Sequence, residues 1–311
     1  MRKLVKWLLG AALVLAGAYV GYGSWQVAAL VDKILRVGSP IAQGEGAPVP
    51  ERPEDIGYVG DPDAAFSYPF EIVDLATELG TASAWLIPPD GMTGKRWAII
   101  VHGIGGRREN GYRFLPTLRA ADLPVLMMSY RNDEEAPASP NGLYSLGLTE
   151  WRDLEAAVSL AGERGGGRVL LVAESMGGGI VGQFLRNSQL ANRVDAIVLD
   201  APMVDLPATL SALVGRLGIP LPRTLTQGAL WLTTWRYPID LTDAVVIEDY
   251  VAFAGPLFVS HGSGDRIVPV ATSDRLVDKR TGPTEYLRPG RTTYCPGRRT
   301  PSVTTWRLRH F

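Results

Sequence analysis

A hydroxyl serves as a nucleophile for acyl transfer only when it is lifted clear of its own backbone, and the stretch RVLLVAESMGGG, Arg168 to Gly179, has the residues for that. An apolar run, Val169 to Val172, leads into Ala173-Glu-Ser175-Met-Gly177 and then into a segment with helical character, Ile180 to Leu185. Buried strand, sharp turn and helix put Ser175 on the turn, with Ala173 and Gly177 small enough for strand and helix to approach. Glycine is the commoner residue where Ala173 stands, and alanine is also compact. The purely structural alternative makes Ser175 a helix N-cap before a glycine-rich turn.

Two further clusters suit the same chemistry. Val101-His102-Gly103-Ile104-Gly105-Gly106 closes an apolar run, and a glycine-rich turn after a strand can aim backbone N–H groups at a developing oxyanion. Ile104 N–H and Met176 N–H are the expected donors, with His102, Gly103 and Gly177 supporting the motif. Alone this would be an ordinary loop; its order relative to Ser175 gives it meaning. His261-Gly-Ser-Gly-Asp265-Arg-Ile-Val-Pro269 places a carboxylate beyond another apolar run, where it could orient an imidazole and stabilise its protonated form. Asp265 is the expected acid and Asp200, at the end of the preceding run, the alternative. Either aspartate could instead merely cap a turn.

The elements that must position these groups read as an α/β fold, a doubly wound and mostly parallel sheet with a small helical cap. Phe70 to Leu75 and Thr81 to Ile87, split by Leu79-Gly80, predict an antiparallel pair. Short continuous apolar runs follow at Trp97 to Val101, Pro124 to Met128, Val169 to Val172, Ala196 to Leu199 and Pro256 to Ser260, which suits strands buried on both faces. Thr149 to Ala161 has helical spacing, with Thr149 as N-cap. Met203 to Ala252 is too long for a simple crossover and carries apolar helical patches, predicting a cap over the carboxyl edge of the sheet.

At the N-terminus, basic Arg2, Lys3 and Lys6 precede Trp7 to Val31, a run without charge that is longer than the roughly 20 residues needed to span a bilayer. This predicts a signal anchor over 1–31 with the remainder outside the cytoplasm; the alternative is a signal peptide cleaved after Ala16-Gly17-Ala18. Residues 32–66, rich in proline and glycine, predict an extended linker to a domain over 67–290. The 311-residue chain is 46% hydrophobic, enough for a full core, and its formal net charge of -1 offers no basic excess for nucleic acid. The single cysteine, Cys295, leaves an exported domain without an internal disulfide.

From about Phe70 to Gly290 the chain resembles the α/β-hydrolase family, nearest to its esterase and prolyl-oligopeptidase-like peptidase branches, on His102-Gly103, Ala173-Glu-Ser175-Met-Gly177 and Gly264-Asp265-Arg-Ile-Val-Pro269. The resemblance implies hydrolysis of an ester, thioester or amide through an acyl-serine, without cofactor or metal. Tyr130-Arg131-Asn132-Asp133 and Glu150-Trp151-Arg152-Asp153 also resemble segments of membrane-tethered members, as substrate contacts or as plain loop and helix-start bonding. The family's catalytic histidine follows the last strand, here Thr284 to Leu287. His102 and His261 already belong to other turns, which leaves His310, one residue from the end with no helix after it.

Residues 291–311 read unlike the domain before them. They hold Arg291, Arg298, Arg299, Arg307 and Arg309, five threonines, no acid and no helical periodicity. Back-translated and read one base out of frame, one permitted choice of codons spells DHILPWPTDPERYDVALATL, a histidine after the Pro289-Gly290 turn and then the start of an amphipathic helix. The expectation is a single-base deletion or sequencing error near codon 291, with His310 folding back as the base as the opposing reading. Function is then expected to be serine hydrolysis, impaired in this form, or a catalytically silent tethered binding protein.

Overall fold

The computed structural model describes residues 1–39, 49–91 and 94–288. Among them, β1 (Glu71–Thr77) and β2 (Gly80–Ile87) form the expected antiparallel hairpin, with Thr77 opposite Gly80 across the turn. Six strands follow: β3 (Arg96–Val101), β4 (Val125–Met128), β5 (Arg168–Glu174), β6 (Val194–Asp200), β7 (Leu257–Ser260) and β8 (Thr284–Leu287). They make one sheet in the order β1-β2-β4-β3-β5-β6-β7-β8, parallel from β4 to β8. The chain places β4 on one side of β3 and β5 on the other, so the order reverses there. A crevice opens at the carboxyl ends of β3 and β5, where ligands of such sheets bind.

The continuous apolar runs divide between two cores by simple alternation. Trp97, Ile99 and Val101 of β3, with Leu171 and Ala173 of β5, enter one core; Ala98, Ile100, Leu170 and Val172 enter the other. The first core is closed by α4 (Trp151–Glu163), α5 (Met176–Asn187) and α8 (Ile247–Ala252), and the second by Tyr112, Phe114 and the short α3 (Leu115–Arg119). α9 (Val270–Lys279) precedes β8. α4 starts one residue later than an N-cap at Thr149 predicts, with Glu150 in the N-cap position. The Glu150 carboxylate accepts from Ser145 N and Gly147 N, and Thr149 N donates to Ser145 Oγ, so the turn is closed before the helix begins.

Between β6 and β7, the expected cap region contains α6 (Leu206–Arg216) and α7 (Pro222–Thr234) as well as α8. α6 starts on Asp205, whose side chain accepts from Ala208 N at 2.8 Å, with proline in the first turn. The N-terminal helix α1 (Arg2–Leu35) holds an 18-residue window of mean hydropathy 1.8 and is long and apolar enough to cross a membrane. Its last turns bury Ser24, Val27, Ala28, Val31 and Leu35 on one face, against α7 and the first core. The seam is tight: a Cβ on Gly228 would lie 2.8 Å from Ser24 Cβ, and one on Gly23 would lie 2.8 Å from Leu225 Cδ2.

Residues 32–39 and 49–66 do not form the extended linker that the composition of 32–66 predicts. α1 continues to Leu35, Tyr144 N donates to Leu35 O, and Val37 N donates to Gly142 O. Further on, α2 (Pro62–Phe66) is capped by Asp61, Tyr112 OH donates to Gly60 O at 2.6 Å, and Tyr58 and Phe66 pack edge-on against the Tyr112 ring. A count of proline and glycine discounts those aromatic side chains, whose burial outweighs the flexibility of the backbone carrying them.

Candidate active site

Ser175 stands at φ 48° and ψ −116°, a left-handed strain that a non-glycine residue adopts only where its surroundings over-determine it. They do so here. Ser175 N donates to Asp200 O at 3.0 Å, and Ser175 O accepts from Gly178 N and Met203 N, both at 2.9 Å. The start of α5 lies hard against β3: a Cβ on Gly177 would sit 2.4 Å from Val101 O and 3.0 Å from His102 O. Ser175 occupies the N-cap position, yet its hydroxyl makes no cap hydrogen bond. Ser175 therefore does not cap α5, and its hydroxyl is left to the crevice.

The loop after β3 comes close to the serine, and a Cβ on Gly103 would be 3.0 Å from Ser175 Cβ. Ile104 lines the crevice beside Gly103. Met176 is the first residue of α5, where the helix supplies no acceptor for its N–H. The carbonyls of the loop are held from behind: Tyr130 OH donates to Gly103 O at 3.0 Å, and Gly106 N donates to the same oxygen. His102 is buried, stacked on Tyr130 at 4.3 Å, with Nδ1 2.9 Å from Gly103 O and Nε2 2.9 Å from Asp133 Oδ2. Burial works against its charge, but the Asp133 carboxylate outweighs it and raises the imidazole above its ordinary value. With both ring nitrogens facing acceptors, His102 braces the loop and has no proton site for Ser175.

Asp265, in the loop after β7, lines the same crevice as Ser175. Its Oδ1 accepts from Ile267 N at 2.7 Å and Val268 N at 3.0 Å, which fixes the carboxylate. His261 is wholly buried behind it, Nδ1 2.7 Å from Ser273 Oγ and Nε2 3.2 Å from Val268 O. Asp200 also lines the crevice, but its Oδ2 is paired with Arg113 Nη2 at 2.9 Å, and Glu174 Oε2 meets the same guanidinium at 3.1 Å. Burial pushes the Glu174 carboxyl above the usual range, against the pull of Arg113. Nothing in composition or spacing announces this three-charge cluster. It forms because β5 and β6 are parallel and in register, Glu174 opposite Asp200, while Arg113 arrives from the loop after β3.

Together these walls enclose about 440 Å³, within the range of small-molecule clefts, with Ile34 of α1 and Leu213 of α6 on the apolar side. His310 and Cys295 lie outside the described residues. β8 ends beside β7 in parallel register, Ser260 opposite Leu287, so the chain leaves the sheet next to the loop that carries Asp265. Among the described residues no cluster of metal-ligating side chains occurs.

The two segments left open between substrate contact and local bonding do local work. Arg131 forks onto Asp153, with Nε to Oδ2 and Nη2 to Oδ1 both at 2.7 Å, and Asp133 anchors His102. Glu150 closes the turn before α4, and none of these groups lines the crevice.

No curated protein sequence matches the chain. The chain is similar in fold to an esterase of Pyrococcus furiosus, at 18% identity over 78% of this chain and 88% of that one, with TM-score 0.55. It is likewise similar to an alpha-beta serine hydrolase homologue from Coxiella burnetii, at 17% identity over 70% and 86% of the two chains, with TM-score 0.50. Those likenesses concern the fold. The sequence itself matches the profile described as "Alpha/beta hydrolase family" over residues 98–305, a span that holds the loop at Gly103, the elbow at Ser175 and the loop at Asp265, and the chain accordingly belongs to the alpha/beta hydrolase family.

Proposed function

We propose that the chain is a serine hydrolase that cleaves a carboxylic ester or amide through an acyl-enzyme on Ser175. The strained elbow carries this reading, because a hydroxyl held at φ 48° without a capping bond has no structural return for its strain. Ser175 Oγ attacks the carbonyl carbon and gives its proton to a general base. Ile104 and Met176 N–H donate to the oxyanion, and collapse expels the alcohol or amine, which takes that proton. Water then attacks the acyl-serine by the same route and releases the acid. Asp265 is the acid that orients the base. Asp200 serves less well, since it already neutralises Arg113 together with Glu174.

The base is a histidine following β8. His102 and His261 are each bonded at both ring nitrogens, so neither can serve. That role falls to the histidine of a restored reading frame after Gly290, with His310 as the lesser candidate. The same observation favours one other reading, a silent tethered protein that keeps the fold and the crevice. A fluorophosphonate and a short-chain nitrophenyl ester decide between them, applied to the chain as it stands, to a frame-restored chain, and to the latter with Ser175→Ala. Fast labelling and turnover in the restored chain alone, both lost in Ser175→Ala, is the expected result. A restored chain that neither labels nor turns over ester refutes the enzyme. An intact reading frame on resequencing refutes the deletion.

α1 is proposed as a signal anchor that leaves the catalytic body outside the cytoplasm, on the strength of Arg2, Lys3 and Lys6 before the apolar run. Protease added to right-side-out cells should then digest the body and leave the helix in the membrane fraction; a protected body would reverse the topology.

A further inference from the structure

The cap exposes large apolar side chains that its own core does not use. Leu217 is 62% exposed, Leu221 55%, Trp231 60% and Trp235 78%. Arg216, Arg223 and Arg236 neighbour them in the sequence, Arg216 with its Nη2 donating to Asp265 O at 3.0 Å, and the run from Leu206 to Ile239 contains no acid at all, in a chain whose overall charge is near neutral. Tryptophan, leucine and arginine with no carboxylate is the composition of a surface that rests on anionic lipid.

The depth of that surface can be read along α1. α1 and α7 run in the same direction: Tyr19 OH donates to Pro220 O at 3.0 Å, Gly23 abuts Leu225, Ser24 abuts Gly228, and Asp32 accepts from Tyr237 OH at 2.6 Å. A hydrocarbon core of about 30 Å beginning at Trp7, just past Lys6, ends near Gln26 at about 1.5 Å per residue. Tyr19 then lies roughly 10 Å inside that boundary, and the corner from Leu217 to Leu221 lies there with it. Trp231, between the levels of Ser24 and Asp32, falls at the headgroups. Ile34, on the wall of the crevice, falls about 12 Å above the boundary, clear of the lipid.

We propose that the corner Leu217–Leu221 and Trp231 form a second membrane contact, by which the cap lies on the bilayer beside α1 and immerses its tip in the near leaflet. This rests on the reading of α1 as a membrane span. The occupant is lipid because the patch is continuous with the helix that would already be in the bilayer, and because its charge is of one sign. The cap is thereby held at a fixed height, with the Ile34 end of the crevice above the headgroups and its Leu213 side, one helical turn from Leu217, nearer the bilayer.

The test uses the full chain in vesicles of phosphatidylcholine and phosphatidylglycerol, with Cys295→Ser as background and one nitroxide at a time on Leu217→Cys, Leu221→Cys, Leu13→Cys or Ile72→Cys. Leu13 reports the span, and Ile72, 65% exposed on β1, reports open water. The expected result is that labels at 13, 217 and 221 are relaxed several-fold more by lipid-dissolved oxygen than by an aqueous nickel chelate, and the label at 72 the reverse. Lipid exposure at 13 with water exposure at 217 and 221 overturns the docking alone. Water exposure at 13 overturns the span and the docking together. Spin–spin broadening at 217 and 221 that survives dilution with lipid identifies a second copy as the occupant and also overturns the proposal.

Discussion

The floor of the crevice and its roof are built on opposite principles. In the floor, β3, β5 and the start of α5 approach so closely that backbone meets backbone, with no room for a methyl group at Gly177. The roof, α6 and α7 with the end of α1, is held by side chains across a seam of small residues and leaves Trp231, Trp235, Leu217 and Leu221 outside. A floor made this way has one geometry or none, which suits reacting groups that must be placed to a fraction of an ångström. A roof made the other way can be altered piece by piece without disturbing that geometry, which suits the part that chooses what enters.

Gly177→Ala should break the comparison most severely. The added carbon would lie 2.4 Å from Val101 O, which is backbone and cannot step aside. A loss of about 3 kcal/mol or more in denaturant unfolding is expected, with fluorophosphonate labelling of Ser175 in the frame-restored chain abolished. Labelling at the parent rate would mean that the elbow has slack.

Gly228→Leu tests the roof. It pushes Ser24, and with it α1, off α7, at a cost of about 2 kcal/mol that the better helix propensity of leucine only partly offsets. Amide exchange over Pro222–Thr234 should accelerate while that over Val169–Gly179 stays at the parent rate. Equal acceleration in both would show floor and roof to be one cooperative unit.

Asp133→Asn probes the brace behind the loop at Gly103. It removes the charge that holds His102 Nε2, leaving Gly103 O tied by Tyr130 OH and Gly106 N. In the frame-restored chain a fall of about tenfold in ester turnover is expected, equal to roughly 1.4 kcal/mol of transition-state stabilisation, with substrate affinity nearly unchanged. A rise in KM alone would place Asp133 in substrate binding instead.

How far the sequence reaches follows the same division. The floor was legible because its constraints are local: a run of four apolar residues, a serine between compact residues and a glycine after a strand each act within a few positions of the chain. The place of Asp265, on the loop after β7 and at the crevice, was legible in the same way. The seam between α1 and α7 was not, since Gly228 and Ser24 are unremarkable until two helices some two hundred residues apart are laid together. Nor was the fate of residues 49–66, where Tyr58 and Phe66 find a partner in Tyr112 that proline and glycine counts do not anticipate. The cluster of Arg113, Glu174 and Asp200 needed the register of β5 against β6, which apolar strands alone do not announce.

That cluster supplies the mildest test, and one in which the floor should gain. Glu174 is buried beside Ser175 and its carboxyl is raised by desolvation, so the folded chain holds its proton more tightly than the unfolded chain does. The sign follows from linkage: the folded state binds more protons over that interval, so stability is fully present below the unfolded carboxylate range and is lost as pH rises through the folded value. Glu174→Gln keeps the shape and removes the charge, while Asp200 still neutralises Arg113 at 2.9 Å. The variant should match the parent in mildly acidic solution and unfold at a higher denaturant midpoint near neutral pH, with the slope of stability against pH reduced in between. A midpoint that falls at neutral pH would mean that Arg113 needs both carboxylates, and that the charge next to Ser175 is held for attraction rather than tolerated at a cost.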